Sequence, residues 1–216
     1  MAPQPTTQQG DSPPRSAFLL AFDVRRERPA GRRELGYLLR AAALAELMLS
    51  GSLADESGKA RAVTAPASPG PLQAAVWEQI SGSPPRSWRS WIRKERSQAY
   101  RLVRDELEAA RLVRVERHRV LLFPVERVTP RKPYLSRRLA EQVARAVHGG
   151  RPVGRLSQDV RVLAALAAAT RLKTVLPARE WRRHRRRVEE LSAPIEPITT
   201  ALRKNVEAAA NASAAG

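Results

Sequence analysis

One amphipathic stretch constrains the fold of this chain more than any other. Between residues 34 and 49, leucine and alanine recur at spacings of three and four residues, which predicts a long helix with an apolar stripe. Gly51 follows where a helix commonly ends in a left-handed conformation. Such a stripe has to be covered by other elements, so the stretch predicts a scaffold of packed helices.

The remaining patterns predict a mainly α, single-domain protein: a central helical bundle with two small β-hairpins. One hairpin is expected to turn at Ser57 and Gly58, and the other around Arg117 and His118. A second long helix is predicted over residues 88–111. The segment 159–172 is apolar on nearly all sides, which is typical of a central helix. Further helices are predicted over residues 136–147, 180–191 and 197–209.

The two ends of the chain have little to bury. Residues 1–15 are rich in Pro, Gln, Thr and Ser and are predicted to be a disordered tail, and residues 211–216 a flexible one. The domain is therefore expected to span residues 16–210. No secretory signal and no apolar run of about 20 residues is visible, and the chain has no cysteine. These features favour a cytoplasmic protein that meets a membrane only from its surface.

The charge of the chain points to an acidic partner. The formal net charge is +18, and of 39 basic residues only five are lysine. Such an excess favours nucleic acid, an anionic membrane or an acidic protein as partner. Arginine binds phosphate in a bidentate manner, which lysine cannot do.

Sequence motifs for catalysis are absent. No nucleophile elbow, phosphate-binding glycine loop or zinc-protease motif occurs. His118, His148 and His184 lie far apart in sequence, and we interpret them as turn or surface residues without a carboxylate at ligand spacing. We therefore expect no catalytic residue, no metal site, no cofactor and no enzymatic activity.

Several motifs resemble those of one known family. The run from Leu39 and Arg40 to Leu53 is similar to the L-R-x3-L-x-E-L-x-L-x-G-x-L motif of the Golgi phosphoprotein 3 family. The resemblance covers roughly residues 16–210. Four further pieces resemble that family in the same order along the chain: 65–72, 91–92, 101–107 and 119–124.

The resemblance implies a lipid-binding function. Eukaryotic members of that family bind phosphatidylinositol 4-phosphate on Golgi membranes and recognise cytoplasmic tails of membrane enzymes. The arginines of the family's headgroup pocket fall on Arg40, Arg101 and Arg104, which we expect to converge on one phosphate. The family's pocket tryptophan falls on Gly31, so another anionic lipid such as cardiolipin, phosphatidylinositol or phosphatidylglycerol is an alternative ligand.

The resemblance also implies a projecting hairpin that contacts membranes or other protomers. Its apolar tip would be formed by Val120, Leu121, Leu122 and Phe123, through which the protein could form a homo-oligomer. Trp181, inside the basic run 179–187, is a further candidate for membrane contact at the level of the headgroups. The alternatives are a half-buried strand for the hairpin and a solvated helix face for the basic run.

Together these observations predict a non-catalytic, peripheral membrane protein at the inner face of the membrane. It would bind anionic phospholipid headgroups and act as an adaptor for cytoplasmic tails of membrane proteins. Its arginine-rich composition favours a bacterial relative of the family. The alternative is a nucleic-acid-binding protein, because a basic helix followed by a basic hairpin has the order of a winged helix. A third hypothesis is a protein-interaction scaffold whose charge serves solubility.

Overall fold

The protein is mostly helical with small antiparallel sheets, as predicted. The computed structural model describes residues 12–24, 26, 28, 29, 32–120 and 123–214. The helices are α1 (Pro13–Leu20), α2 (Arg32–Leu49), α3 (Pro71–Ser81), α4 (Trp88–Arg93), α5 (Arg96–Ala109), α6 (Pro133–His148), α7 (Gln158–Ala169), α8 (Ala178–Arg183), α9 (Arg185–Ser192) and α10 (Glu196–Ala214). The strands are β1 (Phe22–Asp23), β2 (Arg28–Pro29), β3 (Leu53–Glu56), β4 (Lys59–Ala62), β5 (Arg86–Ser87), β6 (Val113–Val120) and β7 (Phe123–Pro130).

Helix α2 is the centre of the bundle. It packs against α1, α3, α4, α5, α7 and α10. Every residue from Leu35 to Ala45 is buried, because glycine and small alanines let neighbouring helices approach from several sides. Helix α7 is also buried along Val162 to Ala167, in agreement with its apolar sequence.

Both predicted hairpins are present, but the predicted turn of the second is wrong. Arg117 and His118 lie inside strand β6 and pair with Glu126 and Val125 of β7. Strands β3 and β4 turn at Ser57 and Gly58, whose φ angles of 52° and 80° are both left-handed. The short strand β5 pairs with β4 and makes this a three-stranded sheet. Strands β6 and β7 pair from Val113 with Pro130 to Val120 with Phe123. The second hairpin is therefore long and narrow and has only two strands.

The predicted single helix over 88–111 is wrong, because the chain breaks between α4 and α5. Glu95 adopts a left-handed φ of 48°, an uncommon conformation for a residue with a side chain. No proline or glycine marks this break in the sequence. The new direction brings α5 very close to α2: a Cβ on Gly36 would lie 2.6 Å from the carbonyl oxygen of Arg96. The break therefore depends on contacts with α2.

A buried arginine on α2 stabilises the end of α4. Arg40 is only 1% exposed, and its Nε and Nη2 donate to the carbonyl oxygen of Trp91 at 3.0 and 2.8 Å. Its Nη1 donates to Oε1 of Gln79 at 3.0 Å. Trp91 lies in the last turn of α4, where carbonyls lack partners within the helix. Burial lowers the pKa of Arg40 to about 10 against the opposing effect of Glu95, so the guanidinium is still charged at neutral pH.

Element boundaries differ from the predictions at three places. Helix α1 begins at Pro13, inside the predicted tail, because Pro13 and Pro14 are buried and proline suits the first turn of a helix. Helix α10 continues to Ala214, so most of the predicted C-terminal tail is helical. The predicted helix over 180–191 is divided into α8 and α9 at His184.

Replacing Arg40 tests its structural role. We expect Arg40→Ala to lower the free energy of unfolding by about 3 kcal/mol, because a charged hydrogen-bond donor is lost and the Trp91 carbonyl stays buried. The matched control Arg101→Ala removes an exposed arginine and should change that free energy by less than about 0.5 kcal/mol. Urea unfolding of both variants measures the difference, and equal stability of the two would contradict the capping role.

A partly buried carboxyl on the same helix predicts a pH dependence. Glu46 accepts a hydrogen bond of 2.7 Å from Nε2 of Gln73. Burial raises the pKa of Glu46, the Gln73 hydrogen bond lowers it, and the charges of Glu106 and Asp159 raise it further, so the net shift is upward from 4.5. The folded protein thus holds this proton more tightly than the unfolded chain. The contribution of Glu46 to stability is therefore greatest below about pH 4.5 and is lost as the pH rises through the raised pKa.

Removing the charge of Glu46 should make the free energy of unfolding depend less on pH. We expect Glu46→Gln to stabilise the protein more at pH 7 than at pH 4.5, because the amide cannot ionise and still accepts from Gln73. Urea unfolding across this pH range gives the difference. Glu78→Gln, on the exposed side of α3, is the control and should leave the slope unchanged. If the free energy of unfolding of Glu46→Gln varied with pH as that of the wild type does, the Glu46 carboxyl would not be the source of the pH dependence.

Candidate functional site

The three arginines predicted to bind a headgroup lie in different environments. Arg40 is the buried cap of α4, and all three of its nitrogens are used by Trp91 and Gln79. Its guanidinium is therefore withdrawn from solvent and has a structural role, and headgroup binding by Arg40 stays a prediction that this burial does not support. The same hydrogen-bonding capacity that suits a phosphate is used here for a backbone carbonyl.

Arg104 is paired with carboxylates. Its side chain is 11% exposed, its Nε donates to Oδ1 of Asp105 at 2.8 Å, and its Nη1 binds Glu126 on β7. Burial by itself would lower the pKa of Arg104, but the hydrogen bonds and charges of Glu126 and Asp105 raise it overall. Arg104 thus connects α5 to the second hairpin, and its charge is already balanced.

Arg101 is the exposed member of the set. It lies one helical turn before Arg104 on α5, and no carboxylate of the described residues pairs with it. Its position leaves it accessible to an anion. The structure therefore does not bring Arg40, Arg101 and Arg104 onto one common partner within the described part of the chain.

The structure describes only some of the residues predicted to contact a membrane or another protomer. Val120 and Phe123 form the last pair of the second hairpin, while Leu121 and Leu122 between them, like Gly31, lie outside the described residues. The hairpin contact stays a prediction. Trp181, in contrast, is only 5% exposed and belongs to the core.

Membrane contact by Trp181 therefore stays a prediction, and the burial of this side chain does not support it. Helix α8 directs this indole inward, whereas Arg179, Arg182 and Arg183 on the same short helix are exposed. The basic run 179–187 is thus amphipathic, with its aromatic residue serving the core. Its arginines other than Arg187 are exposed to solvent.

A groove beside the end of α6 gathers arginines that the sequence analysis did not connect. It has a volume of about 780 Å³ and is lined by Arg145, Arg151 and Arg155 together with small and apolar residues, and none of its lining residues is acidic. Arg145 has only a long contact of 3.9 Å with Glu141. Arg151 and Arg155 have no carboxylate partner among the residues that the structure describes. The lining of the groove therefore carries positive charge that no acidic residue of the lining balances.

The loop that forms the groove is held by a further arginine. Gly149 and Gly150, with φ angles of 99° and 96°, turn the chain after α6. Arg187 of α9 donates from Nε to the carbonyl oxygen of Ala146 at 3.1 Å and from Nη2 to that of Arg151 at 2.5 Å. Arg187 thus fixes the loop to α9 and places Arg151 at the groove.

Two histidines and a glutamate meet at one edge of this groove. His148, which also lines the groove, lies beside Glu180 and His184, and one ligand atom from each lies within 4.8 Å of the others. The expectation that no carboxylate lies at ligand spacing from a histidine is therefore wrong. The sequence did contain one sign of this proximity: Glu180 and His184 are four residues apart, and residues at that spacing share one face of a helix.

Comparison with known proteins identifies the family of the chain. In the described residues no helix has both the length and the apolar character needed to span a bilayer. A search of curated proteins gave no match. The model of the family described as Golgi phosphoprotein 3 (GPP34) matches residues 14–209, nearly the whole chain. The protein therefore belongs to the Golgi phosphoprotein 3 (GPP34) family.

Proposed function

We propose that this protein is a non-catalytic peripheral membrane protein that binds anionic phospholipid headgroups and acts as an adaptor. Membership of the Golgi phosphoprotein 3 family supports this proposal, because the family is of the adaptor type and is associated with membranes and lipids. The net charge of +18 also supports it, since basic proteins are attracted to anionic leaflets.

The observation that carries the proposal is the arginine groove at the end of α6. Arg145, Arg151 and Arg155 present guanidinium groups to one concave surface without an acidic residue in its lining. Guanidinium groups bind phosphate oxygens in pairs, and a groove of about 780 Å³ has the size of a site for a small ligand. A phospholipid headgroup with one or more phosphates therefore fits both the charge and the size of the groove.

Exposed arginines outside the groove would strengthen the contact with a membrane. Each basic residue near an anionic bilayer contributes about 1 kcal/mol, so a few arginines suffice for reversible docking. Arg101 on α5 and the exposed arginines of α8 and α9 are such residues. The hairpin tip with Val120, Leu121, Leu122 and Phe123 would add apolar contact with the bilayer.

Removing two groove arginines tests the headgroup site. We expect Arg151→Ala/Arg155→Ala to weaken binding to vesicles of phosphatidylcholine with phosphatidylglycerol, cardiolipin or phosphatidylinositol 4-phosphate by about 30-fold, the equivalent of about 2 kcal/mol. Co-sedimentation at physiological salt measures the change. Arg203→Ala, an exposed arginine on α10, is the charge control, and Arg101→Ala tests the contribution of α5.

Three results would contradict the proposal. The double variant could bind as tightly as the Arg203→Ala control, which would remove the groove from the contact. Wild-type protein could bind phosphatidylcholine alone as well as anionic vesicles, which would exclude headgroup charge as the cause. Tighter binding to duplex DNA than to anionic vesicles at equal salt would favour the nucleic-acid hypothesis.

The second hairpin gives a separate prediction. Replacing Leu121 and Leu122 by aspartate should weaken vesicle binding, because two charges would oppose apolar insertion and repel the anionic surface. Replacement of both by valine keeps the apolar character and should preserve binding. Co-sedimentation together with light scattering distinguishes the roles: unchanged vesicle binding with a loss of oligomers in the aspartate variant would assign the hairpin to contacts between protomers instead.

A further inference from the structure

The cluster of His148, Glu180 and His184 has no role in the headgroup proposal. His148 is the last residue of α6, Glu180 lies in α8, and His184 follows α8 directly. The Nε2 atoms of His148 and His184 lie 3.9 and 3.7 Å from the same oxygen of Glu180. The side chains are 48%, 21% and 23% exposed in the order His148, Glu180, His184, so solvent and ions can reach all three.

The spacing of these atoms is close to that of ligands around a zinc ion. Zinc binds imidazole nitrogen and carboxylate oxygen at about 2.0–2.2 Å with tetrahedral geometry, which places neighbouring ligand atoms roughly 3.4 Å apart. The observed separations from Glu180 exceed this by a few tenths of an ångström. Small rotations of exposed side chains close such a gap, and the two imidazole rings already lie with their centroids 5.0 Å apart.

The donor set selects the kind of metal. Two imidazoles and one carboxylate suit zinc and other late divalent transition metals, whereas magnesium and calcium prefer oxygen ligands. Glu180 provides a negative charge, and His148 lies at the C-terminal end of α6, where the helix dipole favours a cation. The nearby arginines oppose the metal, so coordination by all three side chains is needed.

We infer that His148, Glu180 and His184 form a zinc-binding site that joins the end of α6 to the junction of α8 and α9. Three protein ligands leave one coordination position for water. The site connects two segments that are otherwise held together by Arg187, which donates to the loop after α6. Zinc would therefore add a second connection at the edge of the arginine groove.

Metal titration of the full chain tests this inference. We expect one equivalent of Zn²⁺ to bind at pH 7.5, measured by competition with a chromophoric chelator, while Mg²⁺ does not compete. Cobalt substitution should give the visible absorption bands of a tetrahedral or five-coordinate site. His148→Ala, Glu180→Gln and His184→Ala should each weaken zinc binding by about 100-fold.

His118→Ala is the matched control, because His118 is the remaining histidine of the chain and lies on β6. It should bind zinc as the wild type does, and thermal unfolding without metal should show that all four variants are folded. Zinc should raise the unfolding temperature of wild type and His118→Ala alone.

Absence of stoichiometric zinc binding by the wild type, or equal binding by the cluster variants, would reduce the cluster to ion pairs and overturn the inference. Neither result would affect the vesicle measurements.

Discussion

The hydrogen bonds from Arg40 to the Trp91 carbonyl connect the central helix α2 to the end of α4. They bring a charged group from the central helix to the end of α4, where the chain needs a donor. The chain then turns at Glu95, and α5 packs against Gly36 on the next turn of α2. The buried guanidinium and the close approach at Gly36 therefore both connect the region of α4 and α5 to the central helix.

The excess of arginine is divided among different physical tasks. Arg40 and Arg187 bind backbone carbonyls and hold segments together. Arg104 balances carboxylates between α5 and β7. The groove arginines keep their charge without a nearby acid in the lining. Net charge alone thus overstates the number of arginines that remain available to an external partner.

Much of the fold follows from sequence because local patterns determine it. The stripe of α2, the left-handed turn at Ser57 and Gly58 and the apolar run of α7 each depend on residues close in the chain. The break at Glu95 does not, since the chain on either side of it contacts α2: the Trp91 carbonyl accepts from Arg40, about 50 residues earlier, and Arg96 lies against Gly36. The burial of Trp181 likewise depends on which side of α8 meets the core.

The two candidate sites differ in how they depend on the sequence. The groove is built locally, by the end of α6, the loop after it and the start of α7, but its arginines follow no recognisable motif. The histidine cluster was harder to predict because it combines α6 with α8, more distant in the chain. Family resemblance correctly indicated the fold and the family, whereas the ligand role that it implied for Arg40 stays a prediction that the burial of this side chain does not support. Similar residue types at similar positions can therefore carry different roles once the packing around them differs.

The most direct measurement of the central claim is nuclear magnetic resonance of the arginine side chains. Titration with a soluble, short-chain phosphatidylglycerol should shift the Nε signals of Arg145, Arg151 and Arg155 in a saturable manner, while that of the buried Arg40 stays unchanged. Shifts that spread evenly over all exposed arginines without saturation, or the absence of any shift in the groove, would contradict a headgroup site at the end of α6.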